Sequence, residues 1–232
     1  MKKILFSALL CSFVFGESLL VGAGAGYKKP LMQVISNLQK DGVNVDGAFA
    51  NIKQITIQAK EGKMSIIVGD EAFLDKSGLN LSGYERIGKG ALVLVTPKNI
   101  VIKDVKELEK LSKIAIPDPK KAIYGIRATE FLEKSNLKGV LQGKILEVST
   151  VPQAVAYVLN GEVEAGFINS TEAIARSGEF GSIIYVDEDL YSPVYISAAR
   201  LEACKANASC EVFINELKSE RSKAIFAKFG LK

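Results

Sequence analysis

Short apolar runs alternate with amphipathic segments along most of the chain. SLLVGAG (18–24) reads as a strand, and Pro30 to Lys40 as a helix with Leu31, Val34, Ile35 and Leu38 on one face. VNVDGAFA (43–50) is the next strand, followed by a helix in KQITIQAKEG that stops at Gly62. MSIIVG (64–69) gives a third strand and EAFLDKSG a short helix. The stretch 85–99, ERIGKGALVLVTPKN, holds one longer strand ending at Pro97. A second series follows: helix VKELEKLS, strand KIAIPDP, helix YGIRATEFLEKSNL, strand GKILEVS, helix VPQAVAYVLNG and strand AGFINS. YSPVYISAAR (191–200) is extended again, and helices EVFINELKS and SERSKAIFAKFG close the chain, with Gly230 as a C-terminal stop. Apolar runs separated by helical periodicity indicate βαβ units and a mostly parallel sheet. Two such sets, joined by one extended segment out and another back, predict a two-lobed α/β protein whose last helices return to the first lobe.

The first residues, MKKILFSALLCSFVFGES, break this rhythm. Two lysines precede an apolar core, and small residues follow at a cleavage point before Glu17, the layout of a secretory signal peptide. The apolar run is shorter than the roughly 20 residues of a membrane span. The 232 residues carry a net charge of +4, and losing Lys2 and Lys3 with the leader leaves +2. Charges of both signs are mixed along the chain, which does not predict a nucleic-acid partner. Two cysteines remain after the leader, Cys204 and Cys210, and in an exported chain their C-x5-C spacing suggests a local disulfide that pins a turn; a pair of free thiols is the alternative. Without further ligands this spacing is not a metal site, and no cation site is expected. The chain has no histidine, which removes the usual general base of serine and cysteine hydrolases and the commonest transition-metal ligand.

The candidate chemistry sits where strands run into helices. GAGAGYKKP (22–30) offers bare backbone N–H groups ahead of a helix N-terminus, an arrangement that suits an anion. It lacks the third glycine of a dinucleotide fingerprint and the Lys-Ser/Thr ending of a Walker loop. Its small residues are equally compatible with a tight turn and nothing more. AFANIKQ (48–54) repeats the junction, with Asn51 as helix cap or ligand donor and Lys53 behind it. In DPKKAIYGIRATEFL (118–132) Gly125 opens a helix carrying Arg127, and STVPQ (149–153) places Pro152 at a first helical turn. Four junctions, two in each half, point toward one cleft. Asp70, Asp118 and Glu172 supply carboxylates near such junctions, but no spacing joins two of them into an acid/base pair, so no enzyme is expected.

Taken together, GAGAGYKKPL, AFANIKQITIQAKEGKMSIIVGDEAF, ALVLVTPKN, IPDPKKAIYGIRATEFL, VEAGFINSTEA and the C-terminal SERSKAIFAKFGLK resemble the periplasmic molybdate-binding proteins, the soluble receptors of ABC importers. The resemblance covers most of the mature chain. It implies a type II periplasmic binding fold, a periplasmic monomer without cofactor, and an oxyanion, molybdate or tungstate first, delivered to a membrane ABC permease. The expected division is a leader at 1–16, lobe I at 17–95 plus 194–232, and lobe II at 96–193. The family supplies two serine hydroxyls to the anion, and Gly26 and Ile52 stand in their places here. Backbone donors at Gly26, Ile52, Tyr124 and Val151 carry over, and Asn169 replaces a tyrosine that reaches the ligand from the second lobe. Losing two hydroxyls would cost about 2–5 kcal/mol. The replacements on offer are Asn51, Tyr27, Lys28, Lys53 and Arg127, whose charged members make stronger bonds to an anion. The missing serines leave two alternatives open: a different small anion on the same fold, or an accessory protein that binds a partner and has lost transport.

Overall fold

The computed structural model describes residues 18–231; the expected leader lies outside them. Two five-stranded sheets form the two lobes. The first contains β1 (Leu19–Gly24), β2 (Val45–Ala50), β3 (Ile66–Asp70), β4 (Ser82–Gly90) and β10 (Val194–Arg200), in the order β2-β1-β3-β10-β4. The second contains β5 (Leu92–Pro97), β6 (Ile114–Pro117), β7 (Ile145–Val148), β8 (Ala165–Asn169) and β9 (Phe180–Tyr185), in the order β7-β6-β8-β5-β9. In the first sheet β1 pairs in parallel with β2 and β3, and β10 runs antiparallel between β3 and β4. The second sheet repeats the scheme, with β6 parallel to β7 and β8 and β5 antiparallel to β8 and β9. Both sheets are therefore mixed, each with three parallel strands feeding helices.

The central parallel strands are continuous apolar runs because both faces are covered. Every residue of β3 and of β8 is buried. The helices α1 (Lys28–Lys40), α2 (Ile52–Lys60) and α3 (Glu71–Asp75) belong to the first lobe; α4 (Ile123–Lys134), α5 (Leu137–Val140), α6 (Val151–Leu159) and α7 (Ser170–Ala175) belong to the second. In α1 the buried Leu31, Val34, Ile35 and Leu38 recur at the three- and four-residue spacing of one helix face. Pro30 is accommodated in its first turn, where a missing N–H costs nothing. The last helices, α8 (Ser209–Lys218) and α9 (Glu220–Lys228), pack on α1 and β4 of the first lobe.

The stretch 85–99 differs from its expectation. It holds two strands, β4 and β5, which part at Ala91 and enter different sheets. The apolar pattern runs through the break, so pattern alone does not mark it. The return crossing lies between β9 and β10 and is tied to the outward one: the Leu92 N–H donates to the Tyr191 hydroxyl at 3.1 Å, and Lys89 pairs with Glu188. VKELEKLS forms a 3-10 helix over Val105–Lys110 in place of an α-helix. Strand β9 and the six-residue α7 have no counterpart in the pattern reading; α7 is under two turns and β9 is a half-exposed strand. Among the described residues no helix is long and apolar enough to cross a membrane.

Cys204 and Cys210 are joined by a disulfide in the first lobe. By the chain-entropy relation so short a loop contributes about 2 kcal/mol. A Cys204→Ser/Cys210→Ser protein is expected to melt about 4–8 °C lower than wild type, and the same drop should appear in the native protein scanned with a reductant.

Candidate functional site

Four helix starts meet between the lobes. The 3-10 turn Ala25–Tyr27 leads from β1 into α1, and Asn51 leads from β2 into α2. From the second lobe, Ala122 precedes α4 and Thr150 precedes α6. Between them is a small cavity whose wall is Gly24, Ala25, Gly26 and Tyr27, then Ala50, Asn51 and Ile52, then Ala122, Ile123 and Tyr124, then Thr150 and Val151. The space inside it for the centres of water-sized atoms is about 30 Å³, compared with the roughly 10–15 Å³ one water needs on that measure.

Helix geometry leaves the first N–H groups of each helix without intrahelical partners. Side-chain caps take some of them: Asn51 Oδ1 accepts from the Gln54 N–H at 2.9 Å, and Thr150 Oγ1 from the Gln153 N–H at 3.2 Å. The Lys53 N–H reaches across the cleft to the Lys121 carbonyl at 3.4 Å. Helix geometry leaves the N–H groups of Ile52, Tyr124 and Val151 at the cavity wall, beside the Gly26–Tyr27 turn. Each helix start adds a partial positive charge. The polar side chains in the wall are Tyr27, Asn51, Tyr124 and Thr150; no carboxylate, lysine or arginine is among them.

The two tyrosine hydroxyls bond to one another across the cleft at 2.8 Å. Burial pushes both phenols above their ordinary range, so both stay protonated at neutral pH. Two ion pairs also cross the cleft, each with one partner from either lobe. Arg127 Nη2 meets Asp70 Oδ2 at 2.9 Å with both side chains buried, and Lys29 Nζ meets Glu172 Oε2 at 2.9 Å. Asp70 nevertheless has its carboxyl raised above the ordinary value, because burial outweighs the lowering effect of the Arg127 guanidinium. Asn169, fully buried at the end of β8, donates its amide to the Gly26 carbonyl at 3.1 Å.

The expected site residues therefore divide. Gly26, Tyr27, Asn51, Ile52, Tyr124 and Val151 come together in one wall. Lys28, the first residue of α1, and Lys53, the second of α2, are exposed and outside it. The lysine that turns inward is Lys29, toward Glu172. Arg127 is buried but spent on Asp70 and Glu130. Gly125 faces the Pro117–Asp118 turn, not the cavity. Asn169 also stands outside the wall, bonded to Gly26 behind it. Gly22, first of the glycine series, lies inside β1 against Met64 and Ile55. Thr150 was missed. Its signal was the Thr-x-x-Gln spacing to Gln153 just ahead of an apolar helix, a capping pattern.

The chain is similar in sequence and fold to known binding proteins. The chain is 25% identical to the molybdate-binding protein ModA of Rhodobacter capsulatus over 240 residues, covering 96% of this chain and 94% of that protein. The solved periplasmic molybdate-binding protein of Azotobacter vinelandii superposes with a TM-score of 0.83 at 24% identity, over 93% of this chain and 99% of that one. PEB3 of Campylobacter jejuni with bound L-phospholactate shares the fold at a TM-score of 0.73 and 16% identity, over 93% and 99% of the two chains. The family described as bacterial extracellular solute-binding protein matches residues 19–232, and the chain belongs to it.

Proposed function

We propose that this protein captures a small, fully deprotonated tetrahedral oxyanion, molybdate or tungstate first, and delivers it as an exported monomer to an ABC permease. The convergence of four helix starts on one small cavity carries this reading. Neutral donors and helix dipoles suit an anion that is carried, not altered. Lobe closure is the mechanism, because a closed cleft offers the transporter one surface. The cavity favours an inorganic anion over one with an organic tail. A wall without a carboxylate favours anions that hold no proton at neutral pH: an O–H on phosphate would need an acceptor, and an unmet buried donor costs about 1–3 kcal/mol. The Thr150 hydroxyl, the Asn51 amide and the one proton that the paired Tyr27 and Tyr124 hydroxyls do not share are the side-chain donors in the wall where Gly26 and Ile52 carry none.

A second reading keeps the fold and changes the anion. The missing hydroxyls at Gly26 and Ile52 favour it. Thermal shifts of the mature protein against molybdate, tungstate, chromate, sulfate and phosphate separate the two. A ligand at a thousand times its dissociation constant adds about 4 kcal/mol, which moves the midpoint by about 8–16 °C for a chain of this size. The expected result is a large shift with molybdate and tungstate and little with phosphate. A large shift with another anion alone selects the second reading, and no shift with any of them rejects both in favour of a partner-binding role.

A further inference from the structure

The turn Ala25–Tyr27 differs from the helix starts at α2 and α6. Those two are capped by their own Asn51 and Thr150, whereas neither this turn nor α1 after it has a side-chain cap. What holds the turn comes from the other lobe. Asn169 Nδ2 donates to the Gly26 carbonyl at 3.1 Å, and the Tyr124 hydroxyl meets that of Tyr27 at 2.8 Å. Asn169 is itself fixed, since its Oδ1 accepts from the Glu172 N–H at 3.1 Å at the start of α7. The Gly26 carbonyl and the Tyr27 N–H belong to one planar trans peptide and point opposite ways. Gripping the carbonyl therefore aims the N–H. Bare Gly26 is what admits the amide: a Cβ there would lie 2.9 Å from Asn169 Nδ2.

We propose that Asn169 is a positioning residue for anion capture, fixing the anion-facing turn of the first lobe from the second, so that this turn reaches its binding geometry only as the lobes close. The inference rests on the anion-binding reading above. Closure and donor alignment are then one event, and a bound anion leaves only after the Asn169–Gly26 bond has parted. Loss of the bond should appear in the dissociation rate, where most changes within one interface are felt.

The test uses Asn169→Ser, Gly26→Ala and the double variant, with tungstate and molybdate as probes. Serine caps a helix about as well as asparagine, so α7 keeps its cap while the reach to Gly26 is lost. Expected is a ligand-free melting point lower by no more than about 2–4 °C, the effect of about 1 kcal/mol in a chain of this size, with affinity lowered about tenfold, equivalent to about 1.4 kcal/mol, mostly through faster release. Gly26→Ala should weaken binding similarly by displacing the amide. In the Asn169→Ser background it should add little, because the next neighbour, Val151 Cβ, is at an ordinary 3.5 Å. Binding by Asn169→Ser within about twofold of wild type, or effects of the two changes that simply multiply, overturns the proposal. If the wild-type protein binds neither anion, the functional reading fails by itself, and small-angle scattering of the ligand-free proteins decides this one. Wild type more compact than Asn169→Ser supports it, and superimposable profiles overturn it.

Discussion

An Arg127→Met protein should lose anion binding at neutral pH by about two to three orders of magnitude. Arg127 and Asp70 come from opposite lobes, meet at 2.9 Å, and are 6% and 1% exposed. Taking away the guanidinium leaves a carboxylate buried without its counter-charge, a change that costs about 3–5 kcal/mol. The molecule has two ways out, and at neutral pH each costs free energy that capture must overcome. It can open the lobes so that Asp70 regains water, or it can protonate Asp70. The second route sets the pH dependence. The Asp70 carboxyl is raised in the wild-type protein because burial outweighs Arg127, and removing Arg127 raises it further. A raised carboxyl means that the closed form holds the proton better than the open one. Closure is then favoured as pH falls toward the raised value and lost as pH rises through it. Titration calorimetry with tungstate should show the variant recovering affinity on mild acidification, and Asp70→Asn in the same background should restore it at neutral pH. Wild-type affinity in Arg127→Met at neutral pH would show that the pair does not govern closure.

Gly125→Ala should be the most damaging of the small substitutions. Gly125 lies in the first turn of α4, pressed against the end of β6. A Cβ would overlap the Pro117 carbonyl oxygen and lie 2.7 and 2.8 Å from the carbonyl carbons of Pro117 and Asp118. These are backbone atoms and cannot rotate aside. The turn is also anchored behind, where the Asp118 N–H donates to the Val148 carbonyl at 2.6 Å. The start of α4 must back away, carrying Ile123 and Tyr124 out of the cavity wall. A cost of about 3 kcal/mol, the upper part of the usual overpacking range, lowers the melting point by about 6–12 °C, and affinity should fall by more than tenfold. Gly139→Ala is the control: a Cβ there meets nothing within 4 Å, and alanine in a helix gains up to about 1 kcal/mol over glycine. Equal melting points for the two variants would refute the packing argument.

The two pairs that cross the cleft also explain why the cavity wall is free of charge. The first lobe presents Asp70 and Lys29, and the second presents Arg127 and Glu172. Each charge finds its opposite across the cleft, so the pairs fix how the lobes meet while the anion site between them stays neutral.

The sequence by itself determined the α/β class, most of the helix starts and, with the family resemblance, half of the cavity wall. These follow from local causes: apolar runs covered on both faces, helices with one apolar stripe, and backbone N–H groups that every helix start leaves open. Gly26, Ile52, Tyr124 and Val151 are named through the family resemblance, which carries over despite the changed side chains because a backbone donor depends on where a helix begins. The tertiary structure decided what the side chains do. Tyr27 and Tyr124 are 97 residues apart, Gly26 and Asn169 are 143 apart, and Asp70 and Arg127 are 57 apart. Nothing local distinguishes Lys28, which faces solvent, from Lys29, which reaches Glu172, or shows that Arg127 is committed to Asp70. A buried charge or amide goes to whichever partner the closed lobes bring within reach, and that partner is fixed by how the helix starts of the two lobes meet.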